Sequence, residues 1–363
     1  MAELFSSTRH LVGAAYAAHV GTQQTELAAT AVAHLRETAF WMERSRQETR
    51  RVEAYRKAAD AIEVLEPDDL LVLHESAGGV QQVPGVGAST GAVIEAALAG
   101  GVADKLVRLR EEGSAPLATS RLVTGLRGDL HTHTTWSDGG SPLAEMVATA
   151  ERLGREYLAI TDHSPRLRVA NGLDAERLGQ QWEEIDRVQA STRIRVLRGI
   201  EVDILDDGSL DQTPEMLEQL DVVVASVHSK LSMDSESMTR RMVNAIAHPR
   251  TNVLGHCTGR LVEGGRGTRP QSRFDAEIVF QACLQFNVAV EINSRPERRD
   301  PPDDLLALAD EMGCLFAIDT DAHAPGQLDF LQYGAARAEL QGIDPSRIIT
   351  TWPVEELLRF TRG

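Results

Sequence analysis

The sequence predicts an α/β chain, a TIM-type barrel preceded by a small all-helical domain. Three observations carry this. From residue 128 onward, short apolar runs alternate with amphipathic helical stretches, the signature of βα units on a parallel sheet. Seven such runs fall within 128–363, a length close to the ~250 residues typical of a closed barrel. Before that boundary the chain is Ala-rich with Leu, Val and Ile at helical spacing, so it reads as helix.

Taken in order, helical stretches are expected over 10–38, 46–64 and 90–110, with the turn Val83-Pro84-Gly85-Val86-Gly87 opening the last helix. The expected boundaries are a helical domain 1–112, a linker 113–127 and a barrel 128–363. The barrel runs are Leu130 in GDLHTHT, then YLAITDH (157–163), VLRGIEVDI (196–204), VVVASVHS (222–229), NVLGHCT (252–258), VAVEINS (288–294) and LFAIDTDAH (315–323).

Composition narrows the function. The formal charge is −17 and hydrophobic residues make up 42 %, which suits a large core and argues against a protein that coats nucleic acid or anionic membrane. The acid is uneven: residues 1–127 hold 13 basic and 16 acidic residues, and 128–363 hold 24 and 38. No apolar run reaches the ~18 residues of a membrane span, and the first residues have no basic-then-apolar signal pattern. No membrane partner is therefore expected. Three cysteines, Cys257, Cys283 and Cys314, make no disulfide framework and fit a reducing cytoplasm.

The chemistry gathers at the ends of the barrel runs. They supply His131, His133 and Asp138, then His163, Glu201 with Asp203, His228, His256, Asn293, and Asp321 with His323. A parallel barrel brings these ends to one face, where active sites lie. In an extended segment, His131 and His133, or Asp321 and His323, share a face. Neutral imidazoles mixed with carboxylates suit Zn²⁺, Mn²⁺ or Fe²⁺. The nine donors His131, His133, Asp138, His163, Glu201, His228, His256, Asp321 and His323 exceed one ion's need and fit two or three. A single strand-end histidine is ordinary; seven successive ends each bearing His, Asp, Glu or Asn is not. His10, His19, His34 and His74 have no partner spacing and read as ordinary. His248 reads as a helix-end residue, and Cys257 as facing away from its neighbour His256. Clustered divalent ions acidify water and steady the oxygens of a phosphoryl group, so phosphoester hydrolysis follows naturally. Amide or deaminase hydrolysis uses His-x-His pairs too. Arg260 and Arg295 are candidate phosphate contacts.

GDLHTHTTWSDG, AITDHS, GIEVDIL, ASVHS, LGHCTGR, VEINS and DTDAH together resemble, in order, the motifs of the PHP (polymerase and histidinol phosphatase) family. The resemblance runs from Gly128 to about residue 360. It implies a distorted (βα)7 TIM-like barrel with a three-ion centre: one ion on His131, His133, Glu201 and Asp321, a second sharing Glu201 with His228 and His256, a third on Asp138, His163 and His323. The family's proline after the fifth-strand histidine is Cys257 here. EAYRKAADAIEVL and VQQVPGVGASTGAVIEAALAGG are similar to the N-terminal helix-hairpin-helix domain of bacterial family X DNA polymerases. There Gly85 and Gly87 would present backbone N–H groups to a DNA phosphate, with Lys57 nearby. Two features depart from that family. Only a linker stands where the polymerase palm and fingers would, and the lyase lysine falls on Val93, which cannot form a Schiff base. Ser89 and Thr90 also replace phosphate-gripping lysines.

The expected function is a metal-dependent phosphoesterase, a DNA 3′–5′ exonuclease or 3′-end-processing enzyme, with a small-molecule phosphomonoesterase of the histidinol-phosphatase kind as the alternative. Glu201 would bridge two ions, His228 or His323 would move a proton to the leaving oxygen, and Arg260 would meet phosphate.

Overall fold

The computed structural model describes residues 2–265 and 267–362, with side chains from Thr22 onward; the side chains of His10 and His19 lie outside the described residues. The chain divides into two compact units, Met1–Ala115 and Pro116–Gly363.

The first unit is all helix: α1 (Ala2–Arg44), α2 (Thr49–Glu63), α3 (Pro67–Glu75), α4 (Ala88–Leu98) and α5 (Asp104–Gly113). Its core follows the helical period, with Leu35, Ala39 and Met42 of α1 against Tyr55, Ala59 and Ile62 of α2 and Ile94 and Ala97 of α4. Each large apolar side chain buried this way contributes about 1.5–3 kcal/mol. The stretch expected as one helix over 90–110 is two. Gly100 takes a left-handed φ of +76°, which caps α4 and which other residues reach only with strain. α3 was not expected at all; Pro67 opens it and Asp68 and Asp69 occupy its first turn, where acids suit the helix dipole.

The second unit is the barrel. Strands β1 (Gly128–Asp129), β2 (Tyr157–Ile160), β3 (Arg195–Asp203), β4 (Val222–Ser226), β5 (Val253–Leu254), β6 (Ala289–Asn293) and β7 (Phe316–Asp319) form one parallel sheet in sequence order. The helices between and after them are α6 (Leu143–Arg152), α7 (Ala175–Gln189), the short α8 (Pro214–Leu217), α9 (Ser235–Ile246), α10 (Ala276–Phe286), α11 (Asp303–Met312), α12 (Leu331–Gln341) and α13 (Val354–Arg362). Both faces of the sheet are apolar, as a parallel sheet under helices requires. Tyr157, Ala159, Leu197, Val222, Val224, Val253, Ala289 and Ala317 fill the inside, while their alternates Leu158, Ile160, Val223 and Ile318 meet the helices. The seam between β1 and β7 is drawn together by a parallel bridge of Thr132 with Ala322 and by His133 N–H donating to Ala322 O at 2.8 Å. Among the described residues, no helix is long and apolar enough to cross a membrane.

Candidate metal centre

The strand period decides who reaches the mouth. Counting by two from inward-facing residues leads from Ala159 to His163, from Leu197 to Glu201, from Val224 to His228 and from Ala317 to Asp321. His256 arrives differently: its φ is +20°, a kink past β5 that turns the imidazole inward. Asp321 also sits at positive φ, +53°. Such backbone costs of order 1–3 kcal/mol and persists where the surroundings hold it.

Glu201 lies at the middle of the cluster. Its Oε2 is 3.3 Å from His131 Nε2, 3.5 Å from His133 Nε2 and 2.9 Å from His163 Nδ1. Its Oε1 is 2.8 Å from His256 Nε2 and 3.1 Å from His228 Nε2. Asp321 Oδ1 stands 3.4 Å from His133 Nε2 and 3.5 Å from His323 Nδ1. Asp138 Oδ1 lies 3.5 Å from His163 Nε2 and 3.4 Å from His323 Nε2. All nine candidate donors are thus brought together. Four groups have ligand atoms within 4.8 Å of one another: His133, Asp138, His163 and His323; His131, Glu201 and His256; His131, His133 and Asp321; and His163, Glu201 and His228. His228 and His256 fall in different groups, and His133 also joins the Asp138 group.

Of the other candidates only Arg295 touches the cluster. The Arg260 guanidinium donates to the Arg298 carbonyl at 3.1 Å and to the Arg299 carbonyl, so it holds the loop after β6. Arg295 Nη1 lies 3.0 Å from His323 Nδ1 and donates to Asp321 O at 3.1 Å. His248 follows α9 directly and accepts from Arg250 N–H at 3.2 Å. Cys257 Sγ faces Asp300 at 3.7 Å. In the first unit Gly85 has φ +92° and Gly87 is the N-cap residue of α4. Lys57 is 71 % exposed and pairs with Glu53 at 3.2 Å.

Comparison with known proteins places this geometry. Residues 129–295 match the PHP domain and residues 28–103 a helix-hairpin-helix domain. A probable phosphatase of Thermoanaerobacter sp. (strain X514) is 30 % identical over 207 residues, 54 % of this chain and 78 % of that protein. The chain belongs to the PHP family. The DNA polymerase/3′-5′ exonuclease PolX of Bacillus subtilis is 36 % identical over 238 residues, 65 % of this chain but only 41 % of its own length. A histidinol phosphate phosphatase from Lactococcus lactis, solved with zinc, L-histidinol and phosphate, aligns at a TM-score of 0.45 with 18 % identity, covering 60 % of this chain and 95 % of that one. That superposition is too loose to carry geometry across.

The PHP mouth fits divalent cations on its own chemistry. Buried Nε2 of His131, both ring nitrogens of His133, Nδ1 of His163, both nitrogens of His228 and Oε2 of Glu201 have no hydrogen-bond partner. Buried polar atoms are normally paired, and neutral imidazoles aimed at carboxylates are what such ions take. The electrostatics favour positive charge at the mouth. Burial opposes ionisation of Glu201, yet His228, His131 and His163 outweigh it and hold the carboxyl well below its usual range. Burial likewise opposes charge on His228, but Glu201 and Asp203 raise it to about 9. Burial opposes Asp321 too, and Arg298 and His133 hold it well down.

Behind the donors stand residues that the nine sequence candidates do not include. Glu291 is fully buried; its Oε1 meets His131 Nδ1 at 2.5 Å and its Oε2 accepts from His256 N–H at 2.5 Å. The carboxylate fixes which imidazole nitrogen His131 offers. A charge at the centre of VAVEINS, in register with inward Ala289, was the available signal. Arg298 Nε donates to Asp321 Oδ2 at 2.9 Å; nothing in ERRD singles it out from its neighbours.

Proposed function

We propose that this protein is a metal-dependent phosphoesterase that trims DNA from the 3′ end. The observation that carries the reading is Glu201, one buried carboxylate with five imidazoles within 3.5 Å, an arrangement suited to two ions sharing it. The nine donors would hold two or three ions of Zn, Mn or Fe. Such ions would supply Lewis-acid charge to phosphoryl oxygens and acidify an attacking water. His228 and His323 have the more exposed side chains of the cluster, at 13 % and 17 %, and either would move a proton to the leaving oxygen only through the ring nitrogen that does not hold an ion. Arg260 acts by holding the loop of Arg298 rather than by meeting phosphate itself. Linkage to a helix-hairpin-helix domain at 28–103 favours DNA ends. Three buried free cysteines suit a reducing cytoplasm.

A small phosphorylated metabolite is the second reading. Val93 lies in the core of the first unit and Thr90 is spent on the Gly87 N–H at 2.9 Å, which weakens any phosphate grip there. The probable phosphatases among the relatives favour it too. Digestion of 5′-labelled single-stranded and gapped DNA with Mn²⁺, beside a phosphomonoester panel including histidinol phosphate, separates the two. Stepwise shortening that disappears in Glu201→Ala supports the exonuclease. Rapid turnover of one monoester with intact DNA supports the phosphatase.

A further inference from the structure

The donors do not hold themselves in place. Three buried aspartates each take a threonine on a neighbouring segment by both its backbone N–H and its hydroxyl. Asp162 takes Thr134 at 2.8 and 2.7 Å. Asp300 takes Thr258 at 3.1 and 2.7 Å. Asp129 takes Thr320 at 3.1 and 2.5 Å. Each threonine lies one or two residues from a candidate donor: His133, His256 and Asp321 respectively.

The Asp162 clamp is the most developed. Its Oδ1 also accepts from Ser137 N–H at 3.1 Å and Ser137 Oγ at 2.5 Å. Its Oδ2 accepts from the buried amide of Gln181, on α7, at 2.6 Å. The clamped segment is a tight turn, with Ser137 N–H and Gly139 N–H both donating to Thr134 O at 3.1 and 2.9 Å. Asp138, between those two donors, carries the carboxylate facing His163 and His323. Asp162 reaches no candidate donor through its side chain, yet it ties down both ends of the turn that presents one.

We infer that Asp162 is a positioning residue for one divalent ion, the one served by His133, Asp138, His163 and His323, through its hold on the 134–138 turn. The inference rests on the metal-centre reading above. The effect should be largest for that group, because Asp138, which belongs to no other group, sits on the clamped turn, whereas His133 and His163 also serve other groups. Residues that orient a metal-binding side chain in this way are worth about 10–100-fold in affinity.

The test is native mass spectrometry of the metal-stripped full chain titrated with Mn²⁺ alone, with Asp138→Asn as the reference for loss of that ion. Asp162→Ala should bind one ion about 10–100-fold more weakly, the same ion that Asp138→Asn loses, with smaller shifts in the other midpoints. Thr134→Val, which keeps the shape and drops the hydroxyl, should shift the same ion in the same direction. Thr134→Ser should restore the wild-type midpoint. Wild-type midpoints for every ion in both Asp162→Ala and Thr134→Val, or an equal shift of all ions, overturns the inference; if Asp162→Ala does not fold, Thr134→Val decides on those two outcomes. A wild-type chain that takes up no Mn²⁺ brings down the metal-centre reading itself. A wild type that loads while the variants load identically brings down the positioning role alone.

Discussion

An ionised carboxylate taken out of water loses several kcal/mol of hydration unless cations or donors surround it. At Glu201, 1 % exposed, imidazoles supply that surrounding, and divalent ions would complete it. Glu201→Ala should therefore lower phosphoester hydrolysis by at least about 10³-fold, the equivalent of ~4 kcal/mol of lost charge stabilisation, while circular dichroism stays native. Glu291 acts one bond further out. Glu291→Gln keeps the shape but weakens the partner of His131 Nδ1, and metal affinity measured by chelator competition should fall about 10–100-fold. The contrast between these two residues shows what a sequence makes legible at this scale. All nine donors stand at the ends of recognisable runs, so they could be named. Glu291, Asp162 and Asp300 look like any acid near a strand until their distant partners are known, as the separations of 160 to His131, 28 to Thr134 and 42 to Thr258 illustrate.

Elements were legible where period and breakers agreed. The barrel strands appear where the apolar runs stand, although β1 and β5 keep only two residues of ladder each. The helix expected over 90–110 divides at Gly100-Gly101, a Gly-Gly turn inside an Ala-rich run. Between elements, Arg110 of α5 grips Glu37 of α1 with both arms, at 2.7 and 2.6 Å. That contact holds the Glu37 carboxyl below its usual value. Because the folded value is the lower one, the stabilisation is present above the unfolded pKa and is lost as pH falls through the folded one. The pair is partly exposed, so Glu37→Gln should cost only about 0.2–1 kcal/mol in denaturant melts at neutral pH, with the difference from wild type vanishing at low pH. In the barrel, a Cβ on Gly139 would lie 2.6 Å from Thr134 N and 2.7 Å from His133 O. Gly139→Ala should displace the turn that carries Asp138, costing about 1–3 kcal/mol in thermal melts and lowering activity more than stability.

For the molecule as a whole, the charge of −17 argues against coating of nucleic acid. The acid excess falls mainly in 128–363, the part that gathers the nine donors, and two or three divalent ions would offset part of it at the mouth. Under the proposed reading such a surface would engage a strand end locally and would not coat a duplex. DNA affinity should accordingly drop when the ions are stripped, measured by fluorescence anisotropy on a 3′-ended single strand; affinity indifferent to chelation would place binding in the helical unit alone. The most direct test of a metal-dependent phosphoester centre is the rate of hydrolysis of bis(p-nitrophenyl) phosphate as Mn²⁺ is returned to the stripped chain, read beside Glu201→Ala. The predicted result is no hydrolysis without the ion, a rate that climbs with ions loaded, and none from Glu201→Ala at any Mn²⁺ concentration. Hydrolysis by the stripped chain, or by Glu201→Ala at the wild-type rate, would contradict it.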